Sequence, residues 1–332
     1  MKKFKMGGGK IEWLSVLQGF SMLLVVVGHA NLTGVAKDPS HPFVASIEQT
    51  IYSFHMPLFM LISGWLFYLT ELSKDRQYGA MIKKKFNRFG MPFLFFTISA
   101  TVLKLIFAPL MKRAVDMNEI IDTFVLFRSN PLGEMWFITT LFILMALYPL
   151  YRFALKKVWL EILLFISAIL LYFYFPSNID YFYLKTVAKM MPFFFAGILI
   201  CKYNLSDYVD NIISCILLGG VFAALTYFNI GGGVYSLCIK FAGIAFSFSL
   251  CRNITKLYPC LFSSFRDYTF QIYLMGIFFQ MAVNYTFKFI GIEVLYTPLY
   301  FVSIFLALYA PVCIALIVKR INNKFISSCF GL

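Results

Sequence analysis

Charge is what this sequence lacks most. Only 13% of its 332 residues are charged, against about 25% in a soluble domain. That is too little polar surface to cover the core of a water-soluble fold of this length. Acidic residues are scarcer still, 15 against 29 Lys and Arg. The seven Cys form no CxxC pair and sit mostly in apolar stretches, so they read as small buried hydrophobes, neither staples nor metal ligands. The apolar runs are continuous rather than alternating over about ten residues, which argues against a transmembrane β-barrel. No small-residue cleavage site follows the first apolar run, so it reads as a retained span and not a removed signal peptide. No segment repeats with a period of about 20–50 residues, as an obvious internal-repeat transporter would. A soluble enzyme, a disordered chain and a disulfide scaffold are excluded on these grounds.

What is present is hydrocarbon. Hydrophobic residues make up 61% of the chain, and 40 residues are Phe; the mean hydropathy is +0.79. Ten apolar stretches are long enough to cross a bilayer, roughly 13–33, 51–69, 89–110, 135–154, 158–175, 187–203, 211–229, 233–251, 268–287 and 296–318. The fold class is therefore all-α, a polytopic transmembrane helical bundle of about ten spans. The whole chain, 1–332, reads as one integral-membrane domain with no soluble domain. Counting loops on alternate sides gives 20 Lys and Arg on the side of both termini against 7 on the other, which places both termini in the cytoplasm. The net charge of +14 is then the orienting charge of a membrane protein. It is not a nucleic-acid footprint, because base-stacking platforms would have no soluble face here.

Ionisable groups at membrane depth are costly and are functional candidates by default. His29 stands in VVVGHA, in the outer half of the first span, with Gly28 opening the backbone beside it. His55 begins the second span on the same side, so the two imidazoles can be close. The bland alternative for either is a packed histidine bonded to a carbonyl. His41 falls in the outer loop and is most simply solvated. Lys104 and Lys240 lie in the outer parts of spans 3 and 8 and can snorkel to the headgroups. Glu134 precedes the aromatic pair Trp136-Phe137. A Trp there fits an interfacial belt, and a Glu facing a His would orient and charge an imidazole. At the cytoplasmic end, KKKFNRFGMP (83–92) reads as a positive-inside stop signal or as a phosphate-binding rim. Lys85 and Arg88 are three apart on a helix, and Arg suits phosphate. Imidazoles outside and a basic rim inside suit a reaction with a cytoplasmic phosphate-bearing donor and an acceptor reached from outside. They suit a transporter with a protonatable site equally well.

Several segments together resemble the acyltransferase-3 family of integral-membrane acyltransferases. They are IEWLSVLQGFSMLLVVVGHA (11–30), IYSFHMPLFMLISGWLF (51–67), KKKFNRFGMPF (83–93), EMWFITTLF (134–142), MPFFFAGIL (191–199) and DYTFQIYLMGIFFQ (267–280), in the family's order. The resemblance implies about ten spans. It also implies transfer of an acyl group, often acetyl from acetyl-CoA, to a hydroxyl of an extracytoplasmic glycan or lipid-linked sugar. The implied setting is a bacterial cytoplasmic (inner) membrane, with the bilayer, the acyl-CoA and the glycan as partners and no nucleic acid. No permanently bound cofactor and no metal is implied; acetyl-CoA is the donor substrate.

The resemblance makes His29 the essential residue, as general base or transient acyl carrier. His55 and Glu134 become positioning or proton-handling partners. Lys85 and Arg88 match a paired basic motif that would hold CoA phosphates, with the pantetheine arm threading inward and Trp136 lining the path. Three positions depart from the family. Gln18 stands where an Arg is usual, about 16 Å from His29 along one helix face, and its amide can hydrogen-bond the donor without charge. Ser15 stands where an acid is frequent, and Gly276 replaces the His of a YL-x-H pattern. The rival readings are a non-catalytic glycan or lipid exporter and a polysaccharide-assembly subunit. CoA dependence separates both from the enzyme.

Overall fold

The computed structural model describes residues 11–33, 40–106, 117–127, 130–179, 181–228 and 230–332, without the side chains of residues 104 and 117–119. The basic N-terminal decapeptide and the side chain of Lys104 thus lie outside the described residues. Those described form helices and turns, with no strand among them. In chain order the α-helices are α1 (Glu12–Gly28), α2 (Pro42–Tyr52), α3 (His55–Phe67), α4 (Tyr78–Ile106), α5 (Met117–Phe124), α6 (Trp136–Ala146), α7 (Tyr148–Ala154), α8 (Val158–Tyr174), α9 (Leu184–Lys202), α10 (Ile212–Phe228), α11 (Gly233–Leu257), α12 (Thr269–Ile290), α13 (Tyr296–Ile321) and α14 (Lys324–Cys329). The described residues of each of the ten apolar stretches fall mainly on one or two of these helices.

Among the described residues, five helical segments are long and apolar enough to cross a membrane: Pro42–Leu72, Tyr78–Leu103, Tyr181–Lys202, Gly233–Leu257 and Glu293–Ile321. A sixth results if α6 and α7, bent by 49° at Leu147, are taken as one. Pro149, two residues past the bend, lacks the N–H that would continue the ladder. α1, α8 and α10 are apolar but 17 residues each. That is about 25 Å, short of a hydrocarbon core of about 30 Å.

Contacts divide the chain into two compact units, one of residues 1–59 and 205–315, the other of residues 60–204 and 316–332. In the first, α1 packs on α2, α11 and α12, and α10 pairs with α11. Small residues set the approach. A Cβ on Gly243 would lie 2.6 Å from the Phe54 ring, and one on Gly276 would lie 3.1 Å from the Ala307 carbonyl oxygen. A side chain at 276 would push α12 away from α13, which gives a packing reason for glycine at a position where the family has His.

The second unit is built on aromatics. Tyr148, Tyr151, Phe67 and Phe193 to Phe195 are fully buried, with Tyr151 stacked on Phe195 at 5.7 Å. α3 and α9 meet backbone to backbone. A Cβ on Gly64 would lie 1.9 Å from the Phe194 oxygen, and one on Gly197 would lie 2.0 Å from the Leu61 oxygen. Without a hydrophobic drive between helices in lipid, such small-residue contacts are what hold spans together. LISG and FAGI, each part of a segment that carries the family resemblance, are thus the two faces of one helix crossing.

Candidate functional site

One group of polar residues of the first unit gathers at the carbonyl end of α1. α1 stops at Gly28, and His29 caps it, its backbone N–H reaching the carbonyls of Val25 and Val26 at 3.2 and 3.3 Å. Gly28 lets α2 come in: a Cβ there would meet Ile51 at 3.2 Å and Tyr52 at 3.8 Å. The Tyr52 hydroxyl and His29 Nδ1 share a 3.0 Å hydrogen bond. The Tyr52 ring also stands edge-on to both imidazoles, 5.5 Å from His29 and 5.1 Å from His55. His55 Nδ1 lies 2.8 Å from the Ile51 carbonyl oxygen. A carbonyl only accepts, so Nδ1 carries the proton and the neutral His55 keeps its lone pair on Nε2. The sequence expectation that the two histidines come close is met through a phenol between them.

More polar groups close on the same helix end. Gln280 of α12 donates to the Val26 carbonyl at 2.7 Å, satisfying a last-turn acceptor of α1. Two residues past His29, the Asn31 side chain donates to Glu48 Oε2 at 3.0 Å, and its backbone oxygen accepts from Asn284 at 3.4 Å. Glu48 is 6% exposed. His41, expected to be solvated, instead stacks 3.5 Å over Tyr296, with Nε2 3.6 Å from Glu293. Flat rings cover each other's faces here better than water would.

In the second unit, Lys85 is turned inward on α4. Its Nζ lies 3.1 Å from Glu71 Oε1, with side-chain exposures of 10% and 3%. Glu71 lies in a one-turn π-helix, Tyr68–Leu72, a local widening often found at functional places. Arg88, about 60° further round the helix, is exposed, with its guanidinium 5.9 Å from the Phe89 ring. Glu134 sits in a short 3-10 turn, Gly133–Met135, directly before α6. Trp136 opens α6, half-buried, with its ring edge-on to Phe137 at 6.0 Å. Lys240 does not reach for a headgroup in this arrangement; its ammonium folds back onto the Ser236 hydroxyl and carbonyl one turn away.

A family model described as an acyltransferase domain, acyltransferase-3, matches residues 11–316. The chain belongs to this family. It is also similar to the nodulation protein NolL of Mesorhizobium japonicum, 28% identical over 127 residues. That stretch is 38% of this chain and 32% of NolL, so the chain matches about a third of that relative's length. No solved structure matches.

For a member of the acyltransferase-3 family, the departures at the first span have a local context. Gln18 is half-buried on α1. Arg266 packs beside the next residue, its Cβ 3.0 Å from the position a Cβ on Gly19 would take. Arg266 donates to Glu12 at 2.6 Å and to the carbonyls of Pro259 and Leu261 at 2.8 and 3.2 Å. Glu12, three residues before Ser15, thus carries the acid of an ion pair whose base comes from another part of the chain.

Tyr52, Glu48, Asn31, Asn284 and Gln280 were not singled out from sequence. The signal was there in part. Glu48 and Tyr52 are four apart and share a face of α2; Gln280 and Asn284 are four apart in an apolar span. Starting the second span at residue 51 left Glu48 in a loop, whereas the helix runs from Pro42.

Proposed function

We propose that this protein is a membrane O-acyltransferase that moves an acyl group, acetyl in the simplest case, from a CoA thioester to a hydroxyl of an extracytoplasmic polysaccharide or lipid-linked sugar. In this reading it is one acyltransferase domain that crosses a bacterial cytoplasmic membrane ten times, with both termini inside. Family membership supports acyl transfer; the donor, acceptor and membrane are our reading. The observation that carries the chemistry is the His29–Tyr52–His55 constellation at the end of α1.

His29 acts as base through Nε2, with Nδ1–H donating to the Tyr52 oxygen. The bond to Tyr52 orients the ring, and Tyr52 accepts from Nδ1–H in the tautomer that leaves Nε2 free as base. The acceptor hydroxyl gives its proton to Nε2 as its oxygen attacks the thioester carbonyl. The C–S bond then breaks, and the imidazolium returns the proton to the departing CoA thiolate. The carbonyl end of α1 favours the transient positive charge. His55, buried and held by the Ile51 carbonyl, keeps Tyr52 in place through its ring edge. Arg88 holds the CoA phosphates, with Lys85 and Glu71 shaping the helix face behind it. Gln18 offers the donor an amide, and Trp136 lines a substrate path. Glu134 is a proton-handling partner.

The test is acetyl-CoA binding and acetyl transfer by purified wild type, Arg88→Ala, His29→Ala and Tyr52→Phe. Arg88→Ala should weaken acetyl-CoA binding. His29→Ala should bind acetyl-CoA normally and transfer nothing. Tyr52→Phe, which keeps the ring and loses one hydrogen bond, should lose about tenfold in transfer rate. Absence of acetyl-CoA binding to folded wild type would replace this reading with another donor or with a glycan exporter; full activity in His29→Ala would remove the mechanism.

A further inference from the structure

Buried hydrogen-bonding atoms are nearly always paired, and one left unpaired costs free energy that a ligand can recover. Two such atoms sit beside the end of α1. Glu48 Oε1 and Asn284 Oδ1 are both buried without a hydrogen-bond partner among the described residues. The other polar atom of each is used. Glu48 Oε2 accepts from the Asn31 side chain at 3.0 Å, and Asn284 Nδ2 donates to the Asn31 backbone oxygen at 3.4 Å. Asn31 therefore anchors both residues and leaves two acceptors waiting for donors.

Both atoms are acceptors, one on a carboxylate and one on an amide, so a partner would supply hydrogens. Among the described residues no three His, Cys, Asp or Glu come together to hold a metal ion, and two oxygens alone make a poor cation cage. A pair of hydroxyls on one ring offers two O–H donors. Flat ring surface lies close by: Tyr296 and Tyr300 pack in one cluster with Ala30, Leu32 and Val283, the neighbours of Asn31 and Asn284, with His41 stacked on Tyr296 and Tyr296 on Tyr300 at 6.3 Å and 12°. Carboxylate, amide and aromatic face together are the chemistry that recognises a sugar. Glu48 is also one helical turn from Tyr52, the residue bonded to His29.

We propose that Glu48 and Asn284, both held by Asn31, form the subsite that binds hydroxyls of the sugar acceptor next to the one being acylated. This rests on the reading of the protein as an O-acyltransferase and names the side chains that select its acceptor. Glu48 Oε1 and Asn284 Oδ1 each accept a sugar O–H, and the stacked rings flank the sugar face.

The experiment measures binding of a panel of fluorescein-labelled oligosaccharides, N-acetylhexosamine oligomers and hexose polymer fragments, to the purified full chain by fluorescence anisotropy. It also records thermal unfolding without ligand. Wild type should bind at least one member saturably. Glu48→Gln and Asn284→Leu should weaken that binding tenfold or more, the loss expected of a hydrogen bond to a charged or buried acceptor, while their unfolding midpoints stay level or rise. Binding by the variants equal to wild type, no binding of the panel by folded wild type, or a marked fall in the variants' midpoints would overturn the subsite. Acetyl-CoA turnover on the same samples is a separate readout: its absence alongside Glu48-dependent sugar binding would remove the acyl-CoA reading and leave the sugar site standing.

Discussion

Replacing Gly197 by Ala adds one methyl group at a place where two helix backbones touch. The new Cβ would sit 2.0 Å from the Leu61 oxygen and 2.9 Å from the Trp65 nitrogen. A comfortable carbon–oxygen approach is about 3.3–3.6 Å, so α3 and α9 would have to part by more than about 1 Å. No rotamer change relieves this, because the obstructing atoms are backbone. Overpacking in a tight core costs typically ~1–3 kcal/mol; with backbone on the far side the upper end applies. A loss of ~3 kcal/mol is about a hundredfold in the folding equilibrium. Gly64→Ala should do the same from the other side, its Cβ lying 1.9 Å from the Phe194 oxygen. The internal control is Gly220→Ala on α10, where nothing lies within 4 Å; there alanine's better helix propensity predicts no loss or a gain of up to ~1 kcal/mol. The assay is the fraction of monodisperse protein left after heating detergent extracts in steps, read by size-exclusion chromatography. A Gly197→Ala protein that survives heating like wild type, or a Gly220→Ala protein damaged as badly, would refute the argument.

Two further outcomes are expected. Lys85→Met alone leaves Glu71 buried without its cation and should lower stability by ~3–5 kcal/mol, whereas Lys85→Met with Glu71→Leu should recover most of it; acetyl-CoA binding by that double variant measures whether the pair also touches the donor. The Asp210 carboxyl feels burial, which raises its pKa, but hydrogen bonds from Lys256 and Arg252 and their charges outweigh that and hold it below the ordinary value of 3.8. The sign follows from linkage: this contribution is fully present above about pH 4 and is lost as pH falls through the lower folded value. Thermal midpoints recorded from pH 6 downwards should fall in the acid range, and Asp210→Asn should flatten that fall; an unchanged slope in the variant would place the acid sensitivity elsewhere.

The helices were legible because their signal is local. An apolar run near twenty residues is helix wherever it ends up, since lipid and a packed interior both demand internal backbone pairing. Family-specific segments were legible as well, although their meaning was mixed. LISG and FAGI looked like signature and turn out to be one helix crossing. Lys85 looked like a phosphate ligand; it is tied to Glu71, a residue the basic run gave no reason to notice. The π-turn that aims Glu71 inward has no signature of its own.

From sequence alone came an all-α chain of membrane composition, His29 and His55 as candidate site residues, and the basic run that holds Lys85 and Arg88. Each rests on residue type and on spacing along a single helix. What needed the tertiary structure was every relation between one helix and another: Tyr52 between two imidazoles, Gln280 on the end of α1, Arg266 paired with Glu12, and Asn284 meeting Asn31. In the last three pairs more than 250 residues separate the partners. Hydropathy reports how deeply a residue wishes to be buried, but not which neighbour it finds there. That is decided by where small residues let helices touch, as Gly28 does for Tyr52 and Gly276 does for α13.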